Sequence, residues 1–148
     1  MNLNEMTGLE IMTAFYKGLY PRPEISKTMP MDTVEVEYGR IVIEATANAT
    51  HANPLGGVHG GFAATVLDSV TGCATHTILA PGEGYGTTDL NIKMCRPIPF
   101  NTKMFAEGNV LNIGRNLVIS EGYIRDKEGK LYAHATATNM IIRRAHND

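Results

Sequence analysis

The chain has 148 residues, enough for one domain with a real core, and its 43% hydrophobic and 19% charged residues are ordinary for a globular protein. A formal charge of −2 argues against a nucleic acid or a membrane surface as the main partner. The two cysteines, Cys73 and Cys95, lie in separate apolar or strand-like segments, too few for a disulfide framework or a metal quartet, and read as free thiols in a reducing compartment.

From the N-terminus, MNLNEMTGLEIM has no basic region and no long apolar run, so no signal peptide is expected and the location reads as cytoplasmic. Residues 4–19 space Met6, Leu9, Ile11, Met12, Phe15 and Leu19 as an amphipathic helix does, and Gly18 with Pro21-Arg22-Pro23 ends it. Thr33–Tyr38 alternates Val34 and Val36 with glutamates, Gly39-Arg40 turns, and Arg40–Ala47 resumes the alternation: a hairpin. His51–Gly61 is a glycine-rich loop. Phe62–Leu79 is the one long helix; its length approaches a membrane span, but Asp68, Gly72, His76 and four threonines make it a buried helix instead. Pro81–Gly86 reads as a turn-rich connection and lacks the Gly-Lys-Ser/Thr of a phosphate loop. Strands follow at Thr87–Met94, Lys103–Leu111, Leu117–Arg125 and Leu131–Ile142, and a polar tail closes the chain. Short connections imply antiparallel neighbours, and a helix apolar on more than one side needs a sheet that wraps it. The fold class is α+β.

The chemistry gathers at residues 53–68. Asp68 is the only formal charge between Gly61 and Pro81, and a carboxylate kept unpaired among apolar groups costs several kcal/mol, so it is expected to serve a function; the structural alternative ties it to a hydroxyl or a backbone N–H. Gly60 opens the long helix, where N–H groups lack internal partners and carry partial positive charge. Such a donor, aimed at a carbonyl under attack, is worth roughly 3–4 kcal/mol of barrier. Gly61 divides evenly between that role and plain helix packing. Asp68 lies eight residues beyond Gly60, about 12 Å along the helix axis. One carbonyl cannot touch both groups of one helix, so a site built from them requires two antiparallel copies about a twofold axis.

Asn53, then His59-Gly60-Gly61 six residues later, then Asp68 nine residues after His59 on an apolar helix, together with Thr87-Thr88-Asp89-Leu90-Asn91-Ile92, resembles the phenylacetyl-CoA thioesterase-like (PaaI-type) branch of the hotdog-fold acyl-CoA thioesterases. The resemblance implies a hotdog fold of five or six antiparallel strands around the long helix, with residues 1–29 as a helical extension, 30–143 as the thioesterase domain and 144–148 as a tail. It implies hydrolysis of an aryl- or short- to medium-chain acyl-CoA by a homodimer or dimer of dimers, with no cofactor and no metal. Asp68 would be the nucleophile or general base, Gly60 the oxyanion donor, and Asn53 and His59 would position substrate, water and loop. Thr87 would support the water, and Thr88 and Gly61 would line the site. Gly114-Arg115-Asn116 would approach the CoA phosphates.

The rivals are weaker. A hotdog hydratase needs a Gly-Asp pair before Asn-Pro and a His after Leu; here His51-Ala52 precede Asn53 and Gly56 follows Leu55. The helix Glu of a hotdog dehydratase is Cys73 here. The histidines lack metal-ligand spacing, and no Gly-x-Ser-x-Gly elbow is present. A hotdog protein that binds acyl-CoA without turning it over is the rival from another class.

Overall fold

The computed structural model describes residues 2–143. The tail at 144–148, with His146, lies outside the described residues. The elements in order are α1 (Gly8–Tyr16), α2 (Ile25–Thr28), β1 (Met31–Glu37), β2 (Arg40–Thr46), α3 (Gly60–His76), β3 (Glu83–Met94), β4 (Lys103–Ile113), β5 (Leu117–Arg125) and β6 (Leu131–Arg143). The strands form one antiparallel sheet in the order β1-β2-β4-β5-β6-β3, curled around α3.

Helix and sheet meet closely because the inner rows are small. Successive inward residues of β6 are Ala133, Ala135 and Ala137, and β4 and β5 place Gly108 opposite Gly122. Val70 of α3 sits on that glycine pair: a Cβ on Gly108 would lie 2.2 Å from the Val70 carbonyl oxygen, and one on Gly122 would lie 3.0 Å from Val70 Cγ1. Val66, Leu67, Val70 and Ala74 follow the helical i, i+3, i+4 spacing and are fully buried against the sheet. Each of the larger three contributes about 1.5–3 kcal/mol of apolar burial.

Several boundaries differ from the sequence reading. The N-terminal helix divides into a 3-10 turn at Leu3–Glu5 and α1, because Thr7 and Glu10 form a reciprocal capping box that starts a new helix at Gly8. Helix α3 begins at Gly60, two residues early, because the His59 ring caps it, and it ends at His76 rather than Leu79. Pro81–Gly86 is a turn only at its start; Glu83–Gly86 pairs with β6 from Arg143 to Met140. The short α2 escaped the sequence reading altogether: four residues are too few to show a period.

The N-terminal segment packs onto the helix that carries the motif. Gly8 donates its N–H to the Leu79 carbonyl at 3.0 Å, and a Cβ there would collide with the His76 carbonyl. His51 holds a second tether, its Nε2 2.7 Å from the Thr28 carbonyl while Nδ1 accepts from the Asn48 N–H. No described helix is long and apolar enough to cross a membrane.

Candidate active site

Helix α3 carries the predicted site residues at two places, its start and its middle. At its start, His59 is the N-cap, and its Nδ1 accepts from the Gly61 N–H at 2.7 Å. That bond requires the proton on Nε2. It also consumes the donor of Gly61, which leaves Gly61 no N–H to offer a substrate, contrary to expectation. The Gly60 N–H has no acceptor among the described residues. It points from the positive end of a 17-residue helix. Asn53 shapes the preceding loop: its Oδ1 accepts from the Leu55 and Gly57 N–H groups at 2.9 and 3.1 Å, and its own N–H donates to the Gly57 carbonyl at 2.7 Å. Asn53, His59 and Gly60 line one cleft of about 530 Å³, together with Met94, Arg96 and Tyr132.

Two turns along, Asp68 is exposed, not buried among apolar groups. Its neighbours in sequence are apolar because they pack on the sheet, whereas Asp68 occupies the face of α3 turned toward β3, where the sheet ends. There it accepts a hydrogen bond from the Thr87 hydroxyl at 2.9 Å.

A β-bulge decides which threonine reaches it. The pairing of β3 with β6 slips between Thr87 and Asp89, which leaves Thr88 as the extra residue. Before the slip, Tyr85 and Thr87 face α3; after it, Leu90 and Ile92 do. Without the extra residue one of these two sets would face outward. Thr88 turns away, and its hydroxyl donates to the Thr138 carbonyl at 3.2 Å, so the structure gives it no part in the cluster around Asp68. Asp89 is exposed on the same edge strand.

Behind Thr87 stands a residue that the sequence reading missed. Asn139 is completely buried; its Nδ2 donates to Thr87 Oγ1 at 3.0 Å, while its Oδ1 accepts from the hydroxyls of Thr75 at 2.9 Å and Ser120 at 3.3 Å. The signal was available in the alternation Ala133, Ala135, Ala137, 139: the next inward position of that strand is an amide.

The groups flanking Asp68 are held neutral. Burial pushes the Cys73 thiol up to about 11, and the Asp68 charge adds to the effect. Tyr85 is pushed up in the same way, with burial the largest cause. Burial also lowers His76, whose ring meets that of Tyr85 edge-on at 5.7 Å. Cys73 therefore stays a thiol. Cys73, Ser69 and His76 form the α3 wall of a cavity of about 420 Å³, roofed by Met12, Phe15 and Tyr16 of α1.

The third predicted region lies apart from both. Gly114-Arg115-Asn116 is the β4–β5 turn, pinned by Arg143, which donates to the Arg115 carbonyl at 2.7 Å and to Asn116 Oδ1 at 3.1 Å. The Arg115 side chain is exposed. Leu117 and Gly86 both pair with Met140, so this turn lies level with the start of β3, whereas Gly60 abuts Met94 at its end. Among the described residues no His, Cys, Asp or Glu cluster has the arrangement of a metal site.

The family model described as the thioesterase superfamily matches residues 55–133, a span that includes Gly60, Asp68 and Thr87. Human acyl-coenzyme A thioesterase 13 is 27% identical over 106 residues, 70% of this chain and 74% of that protein. The structure of a phenylacetic acid degradation-related protein from Ralstonia eutropha JMP134 is 28% identical, with a TM-score of 0.79 over 86% of this chain and 97% of that one. The E. coli PaaI protein, from the phenylacetic acid degradation operon, is 18% identical with a TM-score of 0.79 over 91% and 93% of the two chains, a likeness of fold.

Proposed function

Because the chain belongs to the thioesterase superfamily, with the hotdog fold and a PaaI-type arrangement, and is a thioester hydrolase, we propose that it cleaves an aryl- or short- to medium-chain acyl-CoA to the free acid and CoA. The observation that carries this reading is the division of labour along α3: an N–H with no acceptor among the described residues at Gly60, and a hydrogen-bonded, accessible carboxylate at Asp68.

The two groups lie about 12 Å apart on one straight helix, so they act in pairs from two copies. Gly60 of one protomer donates to the thioester oxygen, and Asp68 of the partner subunit faces the carbonyl carbon. As general base, Asp68 takes a proton from water as its oxygen bonds to the carbonyl carbon. The oxyanion at Gly60 then collapses, the C–S bond breaks, and CoA leaves as the thiolate, which takes up a proton. As nucleophile, the carboxylate would form an anhydride that water opens, with the same products. Asn53 and His59 hold the loop that presents Gly60.

The same pairing accounts for Arg115. Within one chain its turn and Gly60 are separated by most of β3, eight residues or roughly 26 Å. Pairing β3 antiparallel with its copy brings the partner subunit's Arg115 to the end where Gly60 lies, where a guanidinium fork suits CoA phosphates. The acyl group enters the cavity beneath α1, on the protomer that supplies Asp68. No cofactor takes part.

Thiol release from acetyl-, hexanoyl-, palmitoyl-, benzoyl- and phenylacetyl-CoA tests the reading, each with the wild type and Asp68→Asn. Turnover of any member that falls by about 10³-fold or more in the variant, with binding retained, supports it. Equal turnover in the variant removes Asp68 from the mechanism. Binding without turnover across the panel would instead indicate an acyl-CoA-binding protein.

A further inference from the structure

We infer that Asn139 is a positioning residue for hydrolysis: it aims the Thr87 hydroxyl proton at Asp68. The inference rests on Asp68 being the catalytic carboxylate.

The direction of each bond follows from the donors available. Two hydroxyls, of Thr75 and Ser120, converge on one end of the Asn139 side chain at 2.9 and 3.3 Å. A carboxylate oxygen only accepts, so the Thr87 hydroxyl spends its proton on Asp68 and must accept from Asn139; the end facing Thr87 is the NH₂ group, and the end facing the two hydroxyls is the carbonyl oxygen. The NH₂ group donates to Thr87 Oγ1 at 3.0 Å. A hydroxyl that accepts there has its own proton free to go elsewhere, and Asp68 Oδ1 stands 2.9 Å away. The relay is thus one-way, from the core to the carboxylate. It ties down one Asp68 oxygen and leaves the other to face water or the thioester.

The composition of α3 shows that this arrangement is built. Thr65 and Thr71 satisfy their hydroxyls by donating back to the carbonyls of Gly61 and Leu67. Thr75 instead donates across to Asn139. Asn139 itself is fully buried in a row of alanines, where an amide is costly unless its hydrogen bonds are made. Cys73 on α3 and Tyr85 on β3 are held neutral by burial, and the Thr87 hydroxyl is the donor that meets the carboxylate, at 2.9 Å.

The test is a kinetic double-mutant cycle on the full-length enzyme, using Asn139→Leu, Thr87→Val and the double variant. Loss of one directed hydrogen bond predicts a fall in kcat of about tenfold for Asn139→Leu, with KM within about twofold of wild type. The double variant is no slower than Thr87→Val alone, since Asn139 acts through Thr87. Multiplying losses in the double variant, or a rise in KM with kcat unchanged, overturns the proposal. Should Asn139→Leu fail to fold, Thr75→Val combined with Ser120→Ala keeps the amide and removes the donors that orient it. That variant is expected to lower kcat by a smaller factor at unchanged KM, and a wild-type kcat counts equally against the relay. Asp68→Asn, run alongside, separates the two levels. If it is fully active, the catalytic assignment fails; if it is inactive while Asn139→Leu behaves as wild type, only the relay fails.

Discussion

At the scale of single residues, the site depends on which polar groups are already satisfied. Gly61 gives its N–H to the His59 ring, and Gly60 keeps its own (2.7 Å for the bond that is made, and no acceptor among the described residues for the other). That contrast allows a clean deletion. Gly60 is the first residue of α3, a position that tolerates proline, and His59 already has φ −63° and ψ 136°, the conformation preferred before proline. Gly60→Pro therefore removes the N–H while the helix stands, provided the flexible end of Met94 moves aside, since the new Cβ would lie 2.9 Å from its Sδ. The expected result is a fall in kcat of about 10²–10³-fold with the far-UV spectrum and melting temperature nearly unchanged, read by thiol release and circular dichroism. The spacing of Asn53, His59, Gly60 and Asp68 was legible in the sequence because all four lie on one loop and the helix it opens. The exposure of Asp68 was not legible, because apolar neighbours in sequence do not reveal which side of a helix the sheet covers.

Among the elements, the glycines and the bulge set the geometry. Gly108 and Gly122 face each other across β4 and β5 beneath Val70, and their missing side chains set how near α3 lies to the sheet. Gly108→Ala would place a Cβ 2.2 Å from a backbone oxygen, which a rotamer change cannot relieve. The expected loss is about 3 kcal/mol or more in urea unfolding. Gly84→Ala, with nothing within 4 Å of the added carbon, serves as the control and should stay within about 0.5 kcal/mol. The strands from Lys103 onward were readable because their inward rows alternate cleanly. The start of β3 was not. Glu83-Gly84-Tyr85-Gly86 has turn composition and only local preferences to read, and it becomes strand because β6 is long enough to pair with it. The Thr88 bulge is likewise a product of pairing: the strand has two inward rows out of phase, and only the partner register shows where they join.

For the molecule as a whole, the feature that matters is the free edge. β3 is 12 residues long, stands at the end of the sheet, and is exposed over much of Thr87–Met94. A long strand with unsatisfied N–H and C=O groups is a template for another strand, and a second copy of β3 is the partner that a shared site requires. Mixed dimers test this directly. Gly60→Pro and Asp68→Asn chains are each expected to be inactive alone. After joint refolding, half the dimers are mixed and each holds one intact site, so about a quarter of wild-type activity should return. No recovery on mixing, or an active monomer in sedimentation, would sink the shared geometry. The sequence by itself determined the α+β class, the long helix, the antiparallel neighbours and the grouping of Asn53, His59, Gly60 and Asp68, because periodicity, short turns and motif spacing are local properties of the chain. Tertiary structure alone decided that Thr87 and not Thr88 meets Asp68, that α1 roofs a cavity beside Cys73, and that Asn139 stands behind Thr87. Each of these depends on strand register or on the approach of segments distant in sequence, where a slip of one residue turns a side chain to the opposite face.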